Sequence, residues 1–274
     1  MRAAYTNGVV AAFEDAGLGP IDAVYGTSAG GALAAWFSAG QARFALGTWR
    51  YASDARVMSW RRWLTGRGPL LDHDALFQIV YRTERPLDVD AVARAPHRVI
   101  VAVTDLETGR PEYVDIRRGP VLDWLRATGR LPIGAGPAVD VDGRRWLDGG
   151  LADPIPLAQA IRDGARDIVC VLNEPRGERD PESFVAAWVI GRRYPAVREL
   201  VERHHVMHDD AVRLAERPPP GVTVHVIQPR RHLRVGRLTR DPDRIAQAIL
   251  EGERDGRAFA AEHADWFRAP LQPQ

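Results

Sequence analysis

Ser28 stands in the run Gly26-Thr27-Ser28-Ala29-Gly30. A short β-prone segment ends at Gly26 and a small-residue helical segment begins just past Ser28, so the stretch reads as strand, tight turn, helix. Gly26-x-Ser28-x-Gly30 matches the nucleophile-elbow pattern, in which two glycines let the backbone turn sharply and lift the serine hydroxyl out of the packing. A serine at that point also lies at a helix N-terminus, with Ala29 and Gly30 opening the helix. Unpaired N–H groups and the helix dipole there favour developing negative charge. The chemistry this suits is an alkoxide attacking an ester carbonyl. A phosphate cradle is the other use of such a turn, but no Gly-Lys-Ser/Thr follows and no Gly-x-Gly-x-x-Gly is present.

A serine nucleophile needs a base within hydrogen-bond reach. The chain has 8 histidines. His73 and His208 each adjoin an aspartate, yet neither follows a strand in the manner of an α/β-hydrolase triad. His204, His205 and His208 fall on one long polar helix, where solvated side chains are expected. His225 lies within a strand and His232 in an arginine-rich loop, and no paired spacing suggests a metal site. Asp148 is the alternative base. An Asp-Gly pair is ordinarily a turn signal, shared here by Asp142-Gly143, Asp163-Gly164 and Asp255-Gly256. Asp148 differs because it ends a strand and precedes two glycines, Gly149 and Gly150, that permit close backbone approach.

The surrounding pattern supplies the elements. Helical spacing of Tyr5, Val9, Phe13 and Ala16 predicts a first helix stopped by Gly17, and the helix after Ser28 runs to about Ala39 and Gly40. Residues 41–81 read as irregular helix. Within them Trp60-Arg61-Arg62-Trp63-Leu64 admits two readings, a helix packing its tryptophans into the core or peripheral contact with a membrane, and core packing is the expectation. Strands are expected at 98–104 and 112–116, a helix after Pro120, an irregular loop over 129–137, and a hairpin over 138–147 turning on Asp142-Gly143. A helix from Pro156 to Asp163, a strand around Cys170, helices at 181–191 and 195–216, a strand at 222–227 and helices from Asp241 complete the chain. Strands alternating with helices predict an α/β fold with a mainly parallel sheet, in one domain spanning 1–274.

Bulk properties fit that picture. The chain has 274 residues with 37 basic and 36 acidic groups, so nothing calls for a nucleic-acid partner. Every basic residue is arginine, which reads as the codon bias of a high-GC bacterial genome. The single cysteine, Cys170, sits in an apolar run and excludes an internal disulfide. No apolar run is long enough to cross a bilayer and the N-terminus lacks a signal-peptide layout, so a cytoplasmic location is expected.

The pairing of Gly26-Thr27-Ser28-Ala29-Gly30 with Asp148-Gly149-Gly150 resembles the bacterial branch of the patatin-like phospholipase family. The likeness extends to residues 1–9, to Thr104-Asp105-Leu106-Glu107-Thr108-Gly109, to Leu131-Pro132, to the run from Asp142 to Pro156 and to the tail at 229–238. The resemblance implies a three-layer α/β/α sandwich and hydrolysis of lipid carboxylic esters by a Ser-Asp dyad, without metal or organic cofactor. Ser28 would attack the carbonyl, and Asp148, partly desolvated, would take its proton directly and return it to the leaving alcohol.

Two departures qualify this. The family's oxyanion loop is a glycine-rich stretch followed by a basic residue and glycine; Arg2 fits the basic position, Ala3 replaces the glycine, and the glycines would precede Met1. The expectation is a natural protein carrying a further strand and oxyanion loop before Met1. The loop at Gly134-Ala135-Gly136-Pro137 is richer in glycine than expected, which would alter an acyl pocket. Two competing functions are a lipid-binding relative that keeps the dyad without a competent oxyanion hole, and a Ser-His-Asp esterase on another fold.

Overall fold

The computed structural model describes residues 1–83, 86–132, 137–177, 194–236 and 239–267. Its organising element is β2 (Arg98–Asp105), an almost wholly buried strand whose run of valine, isoleucine and alanine suits a position covered on both faces. β1 (Ala23–Thr27) lies parallel to its first half, in register from Ala23 opposite Arg98 to Thr27 opposite Ala102. β3 (Pro111–Asp115) pairs antiparallel, from Ile100 opposite Asp115 to Thr104 opposite Pro111. The hairpin β4 (Val139–Val141) and β5 (Arg144–Asp148) joins through β5, which pairs antiparallel from Val103 opposite Asp148 to Asp105 opposite Trp146.

These registers fix where the chain ends meet. β3 overlaps the stretches of β2 used by both β1 and β5, so it occupies the opposite edge. β1 and β5 therefore share one edge and approach from opposite directions, β1 stopping at Ala102 and β5 at Val103. Their C-terminal ends abut.

Helices α1 (Ala3–Ala16), α2 (Ala29–Ser38) and α7 (Val121–Thr128) match the predicted helices to within a residue or two, and Gly17 closes α1 in the left-handed conformation at φ 68°. The irregular stretch resolves into α3 (Ala42–Ala45), α4 (Trp60–Leu64), α5 (His73–Gln78) and short turns between them. α6 (Val89–Ala93) was not legible in the hydrophobic pattern, although Asp88 caps it by accepting from the Ala91 N–H. One core joins Trp36 of α2, Val99, Val101 and Val103 of β2, Trp124 of α7 and Trp146 of β5.

A second sheet, the parallel pair β6 (Asp167–Val171) and β7 (Thr223–Ile227), follows α8 (Leu157–Arg162). α9 (Arg198–Glu216) and α10 (Pro242–Glu262) complete the described elements. α10 packs against α1 at backbone contact. A Cβ on Gly252 would collide with the Tyr5 carbonyl, and one on Gly8 with the Ile249 carbonyl. Tyr5, Val9 and Phe13 of α1 share a core there with Leu233, Val235, Ile245 and Phe259. The α/β expectation thus holds, but the five-stranded sheet is mixed, parallel only at β1–β2 and antiparallel at β2–β3, β2–β5 and β4–β5, while the separate pair β6–β7 is parallel. Among the described residues no helix is long and apolar enough to cross a membrane. The expected helix at 181–191, the glycines of the 134–136 loop and the last two residues of the 229–238 tail lie outside the described residues.

Two expectations need correction. Trp60 and Trp63 are 46% and 49% exposed and α4 buries no residue, so the tryptophans are not core. The five-residue helix offers too little surface to bury both, and the segment is held by its base instead. His204, His205 and His208 are half-buried, not solvated. α9 turns that side toward the end of β6, where His208 Nε2 lies 3.5 Å from Glu174 Oε2.

Candidate active site

Because β1 and β5 end against each other on β2, the residue after β1 and the last residue of β5 become neighbours across 120 positions of sequence. Ser28 Oγ donates to Asp148 Oδ2 at 2.6 Å. The other oxygen, Asp148 Oδ1, accepts from the Gly150 N–H at 2.8 Å, and Asp148 is 2% exposed. The Asp148 backbone is pinned on both sides. Its N–H donates to the Arg130 carbonyl at 2.9 Å and its carbonyl accepts from Thr104 Oγ1 at 2.8 Å.

Ser28 has φ 56° and ψ −125°, a conformation that costs a non-glycine residue about 1–3 kcal/mol and needs support from its surroundings. Support comes from Thr128 at the end of α7. The Ser28 N–H donates to Thr128 Oγ1 at 2.9 Å, and that hydroxyl donates onward to the Ala102 carbonyl at 2.6 Å. Thr128 is fully buried. One side chain thereby ties the turn after β1 to the residue of β2 where β1 ends. Nothing in the sequence distinguishes Thr128 from an ordinary helix-end threonine, so this contact is visible only in the fold.

The glycines divide by role. A Cβ on Gly26 would strike the backbone of Gly30, so the turn requires glycine there. At Gly30 itself nothing lies within 4 Å of such a Cβ, and the requirement for a small residue passes to Gly31, where a Cβ would press on Thr128 and Val101. Ala29, between Ser28 and Gly30, is exposed. Gly149 packs on β2, where a Cβ would overlap the Ala102 carbonyl, while one on Gly150 would crowd Asp148 Oδ1 at 3.1 Å. Arg2 lies at the entrance to α1 and its guanidinium pairs with Glu174, just past β6.

The histidines lie elsewhere. His73 opens α5 against Gly129, burial pushes its pKa down to about 4, and its Nδ1 has no hydrogen-bond partner among the described residues. Asp74 beside it binds Arg126 at 2.7 Å and Arg130 at 2.6 Å; desolvation opposes its ionisation, and the two guanidiniums outweigh it and hold the carboxyl below its usual range. His225 Nε2 meets Asp167 at 3.1 Å within the second sheet. Cys170 is buried in β6 with its thiol pushed up to about 12 by desolvation, which leaves it inert.

The model of the patatin-like phospholipase family matches residues 1–161, more than half of the chain, and a model described as a domain of unknown function, DUF6363, matches residues 194–268. A relative in Escherichia coli (strain K12), "Uncharacterized protein YjjU", is 27% identical over 235 residues, which cover 83% of this chain and 65% of that protein. The chain thus spans slightly less than two thirds of that relative's length. This chain belongs to the patatin-like phospholipase family, a family of lipid acyl hydrolases.

Proposed function

We propose that this member of the family is a serine acyl hydrolase cleaving carboxylic esters of lipids through Ser28 and Asp148. The observation that carries the reading is the 2.6 Å hydrogen bond from the Ser28 hydroxyl to a carboxylate that is 2% exposed. Asp148 accepts the hydroxyl proton as the serine oxygen bonds to the ester carbonyl carbon. The C–O bond to the alcohol then breaks as Asp148 returns the proton to the leaving oxygen, and water attacks the acyl-enzyme by the same route. Gly150 holds the second carboxylate oxygen, so Oδ2 stays aimed at Ser28.

The strained turn at Ser28 acts as the nucleophile elbow, with Gly26 permitting its close return on Gly30. The N–H of Ala29, at the start of α2, is the donor we assign to the oxyanion, with the open space at Gly30 admitting the substrate. In this reading the layers of helix on either side of the sheet form the family's three-layer sandwich. We also read residues 1–274 as one domain, and the close packing of α10 on α1 supports that reading.

The test is turnover of a short-chain p-nitrophenyl ester by the native protein and by Ser28→Ala. A loss of about four orders of magnitude, with unchanged circular dichroism, is expected. Turnover persisting in Ser28→Ala removes the reading. If Ser28→Ala and the native chain are both inactive on soluble and lipid esters yet bind lipid, the protein is the non-catalytic relative instead.

A further inference from the structure

The segment from Val57 to Asp72 forms a closed hairpin at its base and an open apolar tip. Ser59 N–H donates to the Leu70 carbonyl at 3.0 Å and Asp72 N–H to the Val57 carbonyl at 2.7 Å, while Met58 bridges Leu71. Val57 and Met58 are buried and root the hairpin in the protein. Arg62 is turned inward to hold it, donating to the carbonyls of Pro69, Arg56 and Val57 at 3.0, 3.1 and 3.2 Å. Ser59 caps α4 through the Arg62 N–H.

Such a well-bonded scaffold presents an unusual tip. Trp60 and Trp63 touch edge to face with centroids 5.9 Å apart, half in solvent, and Leu64 beside them is 73% exposed. Arg61 and Arg67 are exposed at the same tip and make no ion pair with a described residue. Between Asp54 and Asp72 the sequence has four arginines and no acidic residue. An isolated surface tryptophan needs no explanation, but two tryptophans and a leucine on one short helix ringed by cations do.

The hairpin's base leads straight to the candidate site. Asp72 caps α5, whose Asp74 binds Arg130; the Arg130 carbonyl accepts the Asp148 N–H, and exposed Leu131 follows. The geometry points to an anionic lipid surface as the occupant: the α4 tip seats tryptophan and leucine in the headgroup–acyl boundary while Arg61 and Arg67 meet lipid phosphates. Tryptophan and arginine both combine apolar bodies with polar ends suited to that zone, and each basic residue near an anionic leaflet adds favourable energy. A protein partner would have to bring a complementary acidic, apolar surface, whereas an anionic bilayer supplies both properties without further specification. This deepens the acyl-hydrolase reading by giving it a substrate-bearing surface, and it rests on that reading only for what the bound surface supplies.

The experiment is co-sedimentation with vesicles of pure phosphatidylcholine and of phosphatidylcholine containing about one third phosphatidylglycerol, all in a Ser28→Ala background so that binding is read without hydrolysis. The anionic vesicles should capture the protein and the neutral ones much less. Trp60→Ala/Trp63→Ala and, separately, Arg61→Gln/Arg67→Gln should each weaken capture about tenfold. With Ser28 restored, both double variants should turn over a soluble ester within about twofold of native. Undiminished capture of the tryptophan variant, or no capture of the parent, overturns the proposal. So does a concentration-dependent dimer that the tryptophan variant dissolves, since the face would then belong to a second copy. A parent that binds anionic vesicles through the tip while native protein hydrolyses no ester would leave this inference standing and end the catalytic reading.

Discussion

The hairpin β4–β5 carries the same dipeptide twice, six residues apart, and the two copies do opposite things. Asp142-Gly143 makes the hairpin turn, with both residues at positive φ (55° and 76°), both exposed, and nothing within 4 Å of where a Gly143 Cβ would go. Asp148-Gly149 ends β5 in the interior, with the aspartate bonded to Ser28 and the glycine pressed onto the Ala102 carbonyl. The first pair answers to the local need for a tight reversal, which any hairpin of this kind imposes. The second answers to a register on β2 set by strands far apart in sequence. A dipeptide has no function of its own; the strand end it occupies decides whether its carboxylate meets water or a hydroxyl.

The largest effect expected is at the two aspartates. Asp148→Asn should lower ester turnover by about ten-thousand-fold, because an amide cannot take the hydroxyl proton, while Asp142→Asn should leave turnover and stability unchanged, asparagine being well suited to positive φ. Comparable activity in the two variants would erase the distinction. The glycines come next. Gly149→Ala should destabilise the fold by about 3 kcal/mol or more in urea unfolding, because the new methyl group meets backbone and not a movable side chain. Gly143→Ala should cost only about 1 kcal/mol, the penalty of left-handed backbone in open space. Equal costs would mean that Gly149 does not pack on β2 as described.

Much of this arrangement was legible in the sequence, and the reasons are specific. The Gly26–Gly30 turn, the hairpin pivot at Asp142-Gly143 and the strand around Cys170 each depend on local backbone geometry or on a continuous apolar run, which residue types report directly. Pairing Ser28 with Asp148 came from the combined motifs, and the sheet register explains why they meet. Thr128 was not legible, since its role depends on α7 ending beside Ala102. Nor was the exposure of Trp60 and Trp63: helical periodicity is the same whether or not a partner surface exists, and burial is a property of the partner. The half-burial of His204, His205 and His208 was missed for the same reason, because α9 is polar in sequence yet its histidine side faces Glu174.

Smaller effects sharpen the contrast between a supported and an unsupported turn. Thr128→Val keeps the shape and removes both hydrogen bonds that hold Ser28. It should lower kcat about ten- to a hundredfold with little change in KM, and Thr128→Ser should restore most of it. A KM effect alone, or no rescue by serine, would make Thr128 only a packing residue. His73 backs the Gly129–Arg130 backbone that holds Asp148. Folded, it stays neutral down to about pH 4, whereas unfolded it protonates near its ordinary 6.5. Between those values the unfolded chain binds more protons, so stability should fall as pH drops from about 6.5 to 4. The Tm of His73→Phe should decline less over that range than that of the native protein, and parallel declines would show that His73 is not buried neutral.

The claim on which the account turns is that the Ser28 hydroxyl is activated by Asp148, and labelling with a fluorophosphonate probe reads it most directly. The account predicts a single phosphonyl adduct, located by peptide mass spectrometry on Ser28, absent in Ser28→Ala and slowed by several orders of magnitude in Asp148→Asn. Adduct formation on another residue, or labelling of Asp148→Asn at the native rate, would contradict it.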